Sequence, residues 1–252
     1  MTAFFASYHN EWDKLMRRKK YWVFLFIGAA LCLLWTVLGN LISDFASQSG
    51  GLLLNLTPTP MGALPFFLQL LVPFLMFMGV TDLITVEGAE STMKAVICRP
   101  VERWKLYASK ILAILTYAAL YLAAVFVVCA ALNQVFGKPL SVSALLIALA
   151  SYALTLIPLL ILACFAALVA LWGRSGTLTM FILLLLYLLL CVLPVFFPVL
   201  SEMLFTSYLS WYRLWIGALP SAAKLIHMLL IVLGYGVVLF TAGSLLFDRK
   251  EY

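Results

Sequence analysis

The chain has 252 residues, of which 65% are hydrophobic and only 10% are charged, and its formal net charge is +6. Soluble domains contain roughly 45–50% apolar residues, so this composition excludes an ordinary soluble domain and predicts that lipid solvates much of the surface. We also expect no nucleic-acid partner, because the basic residues lie in short segments between apolar runs and form no basic domain.

The first twenty residues predict an amphipathic helix that lies on the cytoplasmic surface of a membrane. Apolar side chains recur at helical spacing, and Lys and Arg collect toward the end of the segment, as in helices that bind a lipid interface. The alternative is a basic flank that only orients the following span. The apolar positions are Phe4, Phe5, Tyr8, Trp12, Leu15 and Met16.

Six apolar runs follow, and each is long enough to cross the hydrocarbon core of a bilayer, which takes about 20 helical residues. They cover approximately residues 21–42, 64–83, 111–132, 143–172, 177–198 and 225–247. Strands of a membrane barrel would alternate apolar and polar residues, and these runs do not. Because the first run begins only at residue 21, we predict a retained span and not a cleaved signal peptide. The expected fold is an all-α membrane protein with six transmembrane helices in one domain, residues 1–252.

The basic residues predict the orientation of these spans. Most of the 16 Lys and Arg residues lie before the first span, between the second and third spans, after the fourth span and in the carboxyl-terminal tail. All of these segments face the same side of the membrane. Because cytoplasmic loops carry the excess of Lys and Arg, we predict that both termini are cytoplasmic.

Residues 199–223 are too polar to span a membrane and too aromatic to lie free in water. Tyr208, Trp211, Tyr212 and Trp215 are amphipathic rings of the kind that collect at bilayer interfaces. We predict a short helix or a re-entrant pair before the last span, and the alternative is a simple aromatic belt. Prolines inside the predicted spans remove a backbone donor and bend the helix. They are Pro73, Pro158, Pro194 and Pro198.

The sequence lacks the residue patterns that catalysis or metal binding would require. The predicted spans contain no paired acids, no His and Glu metal set and no activated nucleophile, so an enzyme is not expected. There is no GxxxxGK[ST] loop for the phosphates of ATP. Scattered cysteines offer neither a disulfide framework nor a metal-binding pair. The energy for any uphill movement would therefore come from another polypeptide.

One internal segment, residues 87–110, is much more charged than the rest of the chain. On a helical projection Glu87, Glu90 and Lys94 share one face, and Pro100 ends the helix because it lacks a backbone N–H. A loop that only fixes orientation needs positive charge but neither glutamates nor a helical face. The pattern therefore predicts an exposed docking surface for a soluble partner. We expect Glu87→Lys to leave the chain folded but to uncouple it from that partner.

This segment has the pattern ExxxSTMKxxxxRPxxRxxxxxSK, which resembles the cytoplasmic signature of type-2 ABC transporter permeases. The correspondence carries Glu87, Thr92, Lys94, Pro100, Arg103 and Lys110, and it departs at Ser91, where the family more often has Gly. A second match is NEWDKLMRRKKYW, residues 10–22, which resembles the Asn-Glu and basic run before the family's first span. The chain is thus similar to the membrane subunits of bacterial exporters.

The resemblance implies a multi-pass protein of a bacterial plasma membrane that pairs with an identical or related permease subunit. Two copies of a cytoplasmic ABC ATPase would dock beneath the pair and bind ATP and Mg²⁺, and this chain would bind no cofactor. Residues 87–97 would be the helix that couples to the ATPase, and residues 1–20 would pack beside it. The cargo would be lipid-like, amphipathic or a peptide. The alternatives are a structural or regulatory membrane protein without transport and a membrane-embedded enzyme.

The resemblance implies two sets of site residues. The ATPase-coupling set is Glu87, Glu90, Thr92, Lys94, Pro100 and Arg103. The set on the amino-terminal interface helix is Asn10, Glu11, Lys14, Arg17 and Arg18.

Overall fold

The structure is a computed structural model that describes residues 2–48, 59–89, 102–136, 140–215 and 222–250. These ranges contain helices and short connections and no β-strand. Two 3₁₀ segments, Pro198–Glu202 and Phe205–Trp215, lie between the last two long helices. The long helices are α1 (Thr2–Arg17), α2 (Lys19–Gln48), α3 (Pro60–Ala89), α4 (Arg103–Phe136), α5 (Val142–Trp172), α6 (Gly176–Phe196) and α7 (Ala222–Arg249).

Helices α2 to α7 each contain a segment long and apolar enough to cross a membrane. The prediction of six spans in an all-α membrane protein is therefore confirmed. The predicted run 177–198 ends slightly late, because α6 stops at Phe196 and Pro198 begins a 3₁₀ segment.

Helices α3 and α4 are longer than the apolar runs that predicted them. They have 30 and 34 residues, which at about 1.5 Å per residue corresponds to about 45–50 Å, against about 30 Å of hydrocarbon. Hydropathy detects only the lipid-solvated part of a helix. The extra turns carry charged side chains that pair with those of other helices, as described below.

Helix α4 is the centre of the bundle, since it packs against α1, α2, α3, α5 and α7. Helix α1 is the predicted amphipathic helix, and Leu15 on its apolar face is fully buried against the rest of the protein, while Phe5 is exposed. Helix α6 lies at the periphery and exposes large apolar side chains such as Phe181 and Leu185. In a spanning helix these are the surfaces that lipid or another membrane subunit covers.

Three prolines lie within spanning helices, and in each case a side chain from another element donates a hydrogen bond to the carbonyl four residues before the proline. That carbonyl is the one whose helical N–H partner a proline removes. Pro73 follows a π-helical turn, Phe67–Leu71, Pro158 follows a break at Thr155, and Pro194 lies inside α6. The three bonds are Tyr187 Oη to Gln69 O at 2.8 Å, Trp211 Nε1 to Leu154 O at 2.8 Å and Thr206 Oγ1 to Leu190 O at 3.2 Å.

Two of these donors, Thr206 and Trp211, belong to the 3₁₀ segment Phe205–Trp215, which we call the distal segment. The rings of Tyr208, Trp211 and Tyr212 are buried against the protein, whereas a simple aromatic belt would expose them to the interface. The predicted short helical element before the last span is therefore present. It is fastened to α5 and α6 through the carbonyls near their prolines.

Candidate functional site

Four charged side chains from three helices meet in a buried group, which we call the proximal cluster: Glu11 and Lys14 of α1, Glu87 of α3 and Lys110 of α4. Lys110 Nζ lies 2.9 Å from Glu11 Oε2 and 2.6 Å from Glu87 Oε2. Lys14 Nζ lies 2.9 Å from Glu11 Oε1 and 2.8 Å from Glu87 Oε1. Each ammonium thus bridges both carboxylates, and the cluster is neutral as a whole.

Three of these four charged side chains are almost completely shielded from solvent. The Lys110 side chain is 0% exposed, and those of Glu11 and Glu87 are 2% and 8% exposed. An isolated buried charge is strongly unfavourable, but hydrogen-bonded opposite charges offset the lost hydration. Because the partners lie on different helices, the same contacts fix α1 against the ends of α3 and α4.

The pKa values of the two α1 residues follow from the same balance. Burial by itself would raise the pKa of Glu11, but the nearby Lys110 and Lys14 ammonium groups hold it below the ordinary value of 4.5. Burial would lower the pKa of Lys14, but the carboxylates of Glu11 and Glu87 raise it above 10.5. Both groups are therefore charged throughout the neutral range.

A second group of charges surrounds Asp82, which precedes Glu87 on α3. Arg18 Nη1 lies 3.0 Å from Asp82 Oδ1, and Lys20 Nζ lies 2.5 Å from Oδ2. The Tyr21 hydroxyl donates to Asp82 Oδ2 at 2.7 Å. This Asp82 cluster fixes the start of α2 to α3, so the junction between α1 and α2 is held on both sides.

The helix that carries these acids continues without interruption from the span. A π-helical turn, Thr81–Val86, precedes Glu87, and the α-helical residues Glu87–Ala89 follow directly. Glu87 therefore belongs to the last turn of α3, and not to a separate surface helix. The predicted coupling residues Glu90, Thr92, Lys94 and Pro100 lie outside the described residues.

The expectation that Glu87 sits on an exposed polar face is wrong, because its side chain is buried between Lys14 and Lys110. A helical projection considers only one helix and cannot show that α1 and α4 cover this face. For the same reason, and against the expectation from the sequence, the structure predicts that Glu87→Lys destabilises the fold. A third lysine there would meet two buried or half-buried ammonium groups.

The structure separates the remaining predicted site residues. Arg103 contacts the end of α7, where its Nη1 donates to the Asp248 carbonyl at 2.6 Å, and it does not join the proximal cluster. Asn10 Nδ2 makes a long contact of 3.5 Å with Glu11, Arg17 is exposed, and Arg18 belongs to the Asp82 cluster.

Sequence reasoning omitted Lys110 from the predicted site, although the signature includes it as its final residue. It also left Asp82 without a partner. The available signal was that a charged side chain within or beside a span almost always pairs with another one. Among the described residues there is no group of His, Cys, Asp and Glu suited to a metal ion.

Comparison with known protein families identifies the family of this chain. A family model described as ABC-2 family transporter protein matches residues 9–190, which is well over half of the chain. The match begins two residues before Glu11 and includes Asp82, Glu87 and Lys110. A comparison with curated proteins finds no relative that matches. This multi-pass membrane protein therefore belongs to the ABC-2 transporter family.

Proposed function

We propose that the chain is the permease subunit of an ATP-driven exporter. Two permease subunits, identical or related, form the path of a lipid-like, amphipathic or peptide substrate. Two cytoplasmic ATPase subunits dock at the end of the bundle that holds the proximal cluster, and they bind ATP and Mg²⁺. The chain itself then contributes no catalytic group.

The observation that carries the proposal is the position of the proximal cluster. Its Glu87 is the first residue of the segment 87–97 to which the resemblance assigns ATPase coupling, and its other members lie on α1 and α4. A force on that segment would therefore act on three helices together. Buried ion pairs suit this role, because their strong distance dependence resists relative displacement of the helices.

The first experiment tests the partner. The chain is co-expressed with an ATPase subunit encoded by a neighbouring reading frame, and co-purification and ATP hydrolysis are measured. We expect the ATPase to co-purify and the isolated chain to show no hydrolysis. Hydrolysis by a preparation free of other polypeptides, or failure of every adjacent ATPase to bind, would contradict the proposal.

The second experiment tests the docking surface with two lysine variants. Lys94→Glu should leave insertion and monodispersity in detergent unchanged but weaken ATPase binding by about tenfold or more, as for a charge desolvated at an interface. The matched control is Lys105→Glu, since Lys105 lies in the same basic region and pairs only with the exposed Glu102 within the described residues. Equal effects of the two variants would show that net charge matters and a specific docking residue does not.

The third experiment tests orientation. Cys98 is left as the single thiol after Cys32, Cys129, Cys164 and Cys191 are replaced. We expect that a membrane-impermeant thiol reagent labels it only after the cells are opened. Labelling in intact cells would place the basic segment outside and would be incompatible with ATPase docking there.

A further inference from the structure

A polar cavity of about 590 Å³ lies at the end of the bundle opposite the proximal cluster, between the distal segment and the start of α7. Glu202, Arg213 and His227 are exposed and line this cavity. Ser201, Ser207 and Ser210 also line it. A carboxylate, a guanidinium and an imidazole around one volume can serve a ligand that carries both signs of charge.

A larger cavity of about 900 Å³ adjoins it and is lined mainly by apolar side chains of α2, α3 and α6. Leu70, Phe74 and Leu188 are among these side chains, and Gln69 and Tyr187 add a few polar atoms. Ser207 and Ser210 of the distal segment line both cavities. The two volumes therefore border the same short stretch of the chain, and the larger volume is mainly apolar while the smaller one has charged side chains in its lining.

The distal segment, which lines both cavities, is held in place by several hydrogen bonds. Trp211 donates to the Leu154 carbonyl and Thr206 donates to the Leu190 carbonyl, which fastens the distal segment to α5 and α6. Tyr208 Oη donates to the Glu202 carbonyl at 2.6 Å, and this bond joins the two 3₁₀ segments. Arg213 Nε donates to Tyr212 Oη at 3.4 Å, which positions the guanidinium beside the cavity. The charged groups thus stand on a fastened scaffold.

We propose that the two cavities form one binding site for an amphipath with a zwitterionic head group and a single apolar chain. The phosphate of the head group pairs with Arg213 and His227, its ammonium pairs with Glu202, and the chain lies in the apolar cavity. Both volumes lie in the range of about 300–1,000 Å³ that is typical of small-molecule sites. The inference rests on the proposed function, since the bound amphipath would be the transported substrate.

The test uses purified chain in nanodiscs and a lysophosphatidylethanolamine that carries a diazirine in its acyl chain. After photolysis, the labelled residues are mapped by peptide mass spectrometry. We expect labels on cavity residues such as Leu70 and Leu188. Unlabelled lysophosphatidylethanolamine should compete, and lysophosphatidylglycerol of the same chain length should compete about fivefold less well, since it lacks the ammonium that pairs with Glu202.

Substitutions of the charged residues test which of them contact the head group. Glu202→Gln should remove the preference for the zwitterion over the anionic lysolipid, and Arg213→Gln should weaken the binding of both about fivefold relative to an uncharged monoacylglycerol. The control is Glu102→Gln, an exposed carboxylate at the opposite end of the bundle, which should change neither ratio. A Glu202→Gln variant that keeps the full preference would overturn the head-group assignment.

A second pair of variants tests whether the acyl chain lies in the apolar cavity. Leu188→Trp fills the apolar cavity and should reduce labelling, whereas Leu185→Trp on the same helix should not. The two leucines are similarly exposed, at 66% and 65%, but only Leu188 lines the cavity. Labels confined to peripheral residues such as Phe181, or competition by water-soluble phosphoethanolamine as strong as by the lysolipid, would overturn the proposal. No ATPase is needed, so a failure here is distinct from a failure of ATPase docking.

Discussion

Lys110→Met is the substitution that most directly tests the proximal cluster. It replaces the ammonium that bridges Glu11 and Glu87 with an apolar side chain of similar length. Of the described cations, Lys14 alone then contacts the two carboxylates, and the net charge of these four positions changes from zero to −1. No other described cation contacts Glu11 or Glu87 in this cluster.

The expected cost follows from burial. Removing one partner of a buried ion pair typically costs about 3–5 kcal/mol, because the other partner stays buried without compensation. Lys14 is 28% exposed and reaches both carboxylates, so it relieves part of the repulsion. We therefore expect a loss at the lower end of the range, about 3 kcal/mol, in the free energy of unfolding.

The assay is a double-mutant cycle with Glu87→Gln, measured by reversible unfolding of the purified chain in mixed micelles. Glu87→Gln alone leaves two lysines with one carboxylate and should cost a similar amount. Of the cluster, the double variant keeps only Glu11 and Lys14, two opposite charges that sum to zero. We therefore expect a loss of about 1–2 kcal/mol, far below the sum of the single losses. As a control, Lys105→Met at the exposed Glu102 pair should change stability by less than about 1 kcal/mol.

Additive losses in the double variant would refute the reasoning, because they would mean that the two charges do not interact. A loss below about 1 kcal/mol for Lys110→Met would show that water already hydrates the cluster. The double variant has a further use. It should be stable enough to test whether removing the bridge between α3 and α4 lowers substrate-stimulated hydrolysis by the partner ATPase.

Three further outcomes follow from single contacts. Trp211→Phe should lower the free energy of unfolding by about 0.6–1.7 kcal/mol, the scale of hydrogen bonds between membrane helices. In a Pro158→Ala background the loss should be much smaller, because the new backbone N–H of residue 158 can replace the Trp211 donor. Equal losses in both backgrounds would contradict the pairing of Trp211 with the carbonyl before Pro158. Because the pKa of Glu11 lies below 4.5, its contribution to the free energy of unfolding should be complete above pH 4.5 and lost at lower pH. The difference in stability between the parent and Glu11→Gln should therefore shrink in acid. A difference that grows in acid would mean that folding raises the pKa of Glu11. Gly243→Ala should lower the melting temperature, since the added Cβ would overlap Tyr107 Oη, and Tyr107→Phe should restore part of the loss. No loss at all would exclude this close approach.

The spans and α1 could be predicted because the information they need is local. A run of apolar residues such as 177–198 must be solvated by lipid whatever its neighbours are, so length and composition decide it. The periodicity of Tyr8, Trp12 and Leu15 likewise marks one face of α1 without reference to other helices. Both predictions are confirmed by the helices observed there.

The proximal cluster could not be assembled in the same way. Glu11 and Lys110 are 99 positions apart, and Glu87 and Lys110 are 23 apart, so only the tertiary arrangement brings them together. The resemblance named both segments but assigned Glu11 to an interface helix and Glu87 to the ATPase-coupling set, and the helical projection placed Glu87 on an exposed face. The rule that a buried charge needs a partner applied to each acid, but it did not identify the partner.

The prolines show the same limit and point to the role of α3. Pro73 removes the helical N–H partner of the Gln69 carbonyl, but only the fold shows that this carbonyl accepts a bond from Tyr187 on α6. The same uninterrupted helix carries Asp82 and Glu87 at its other end. One helix therefore joins the wall of the apolar cavity to the segment where an ATPase would dock.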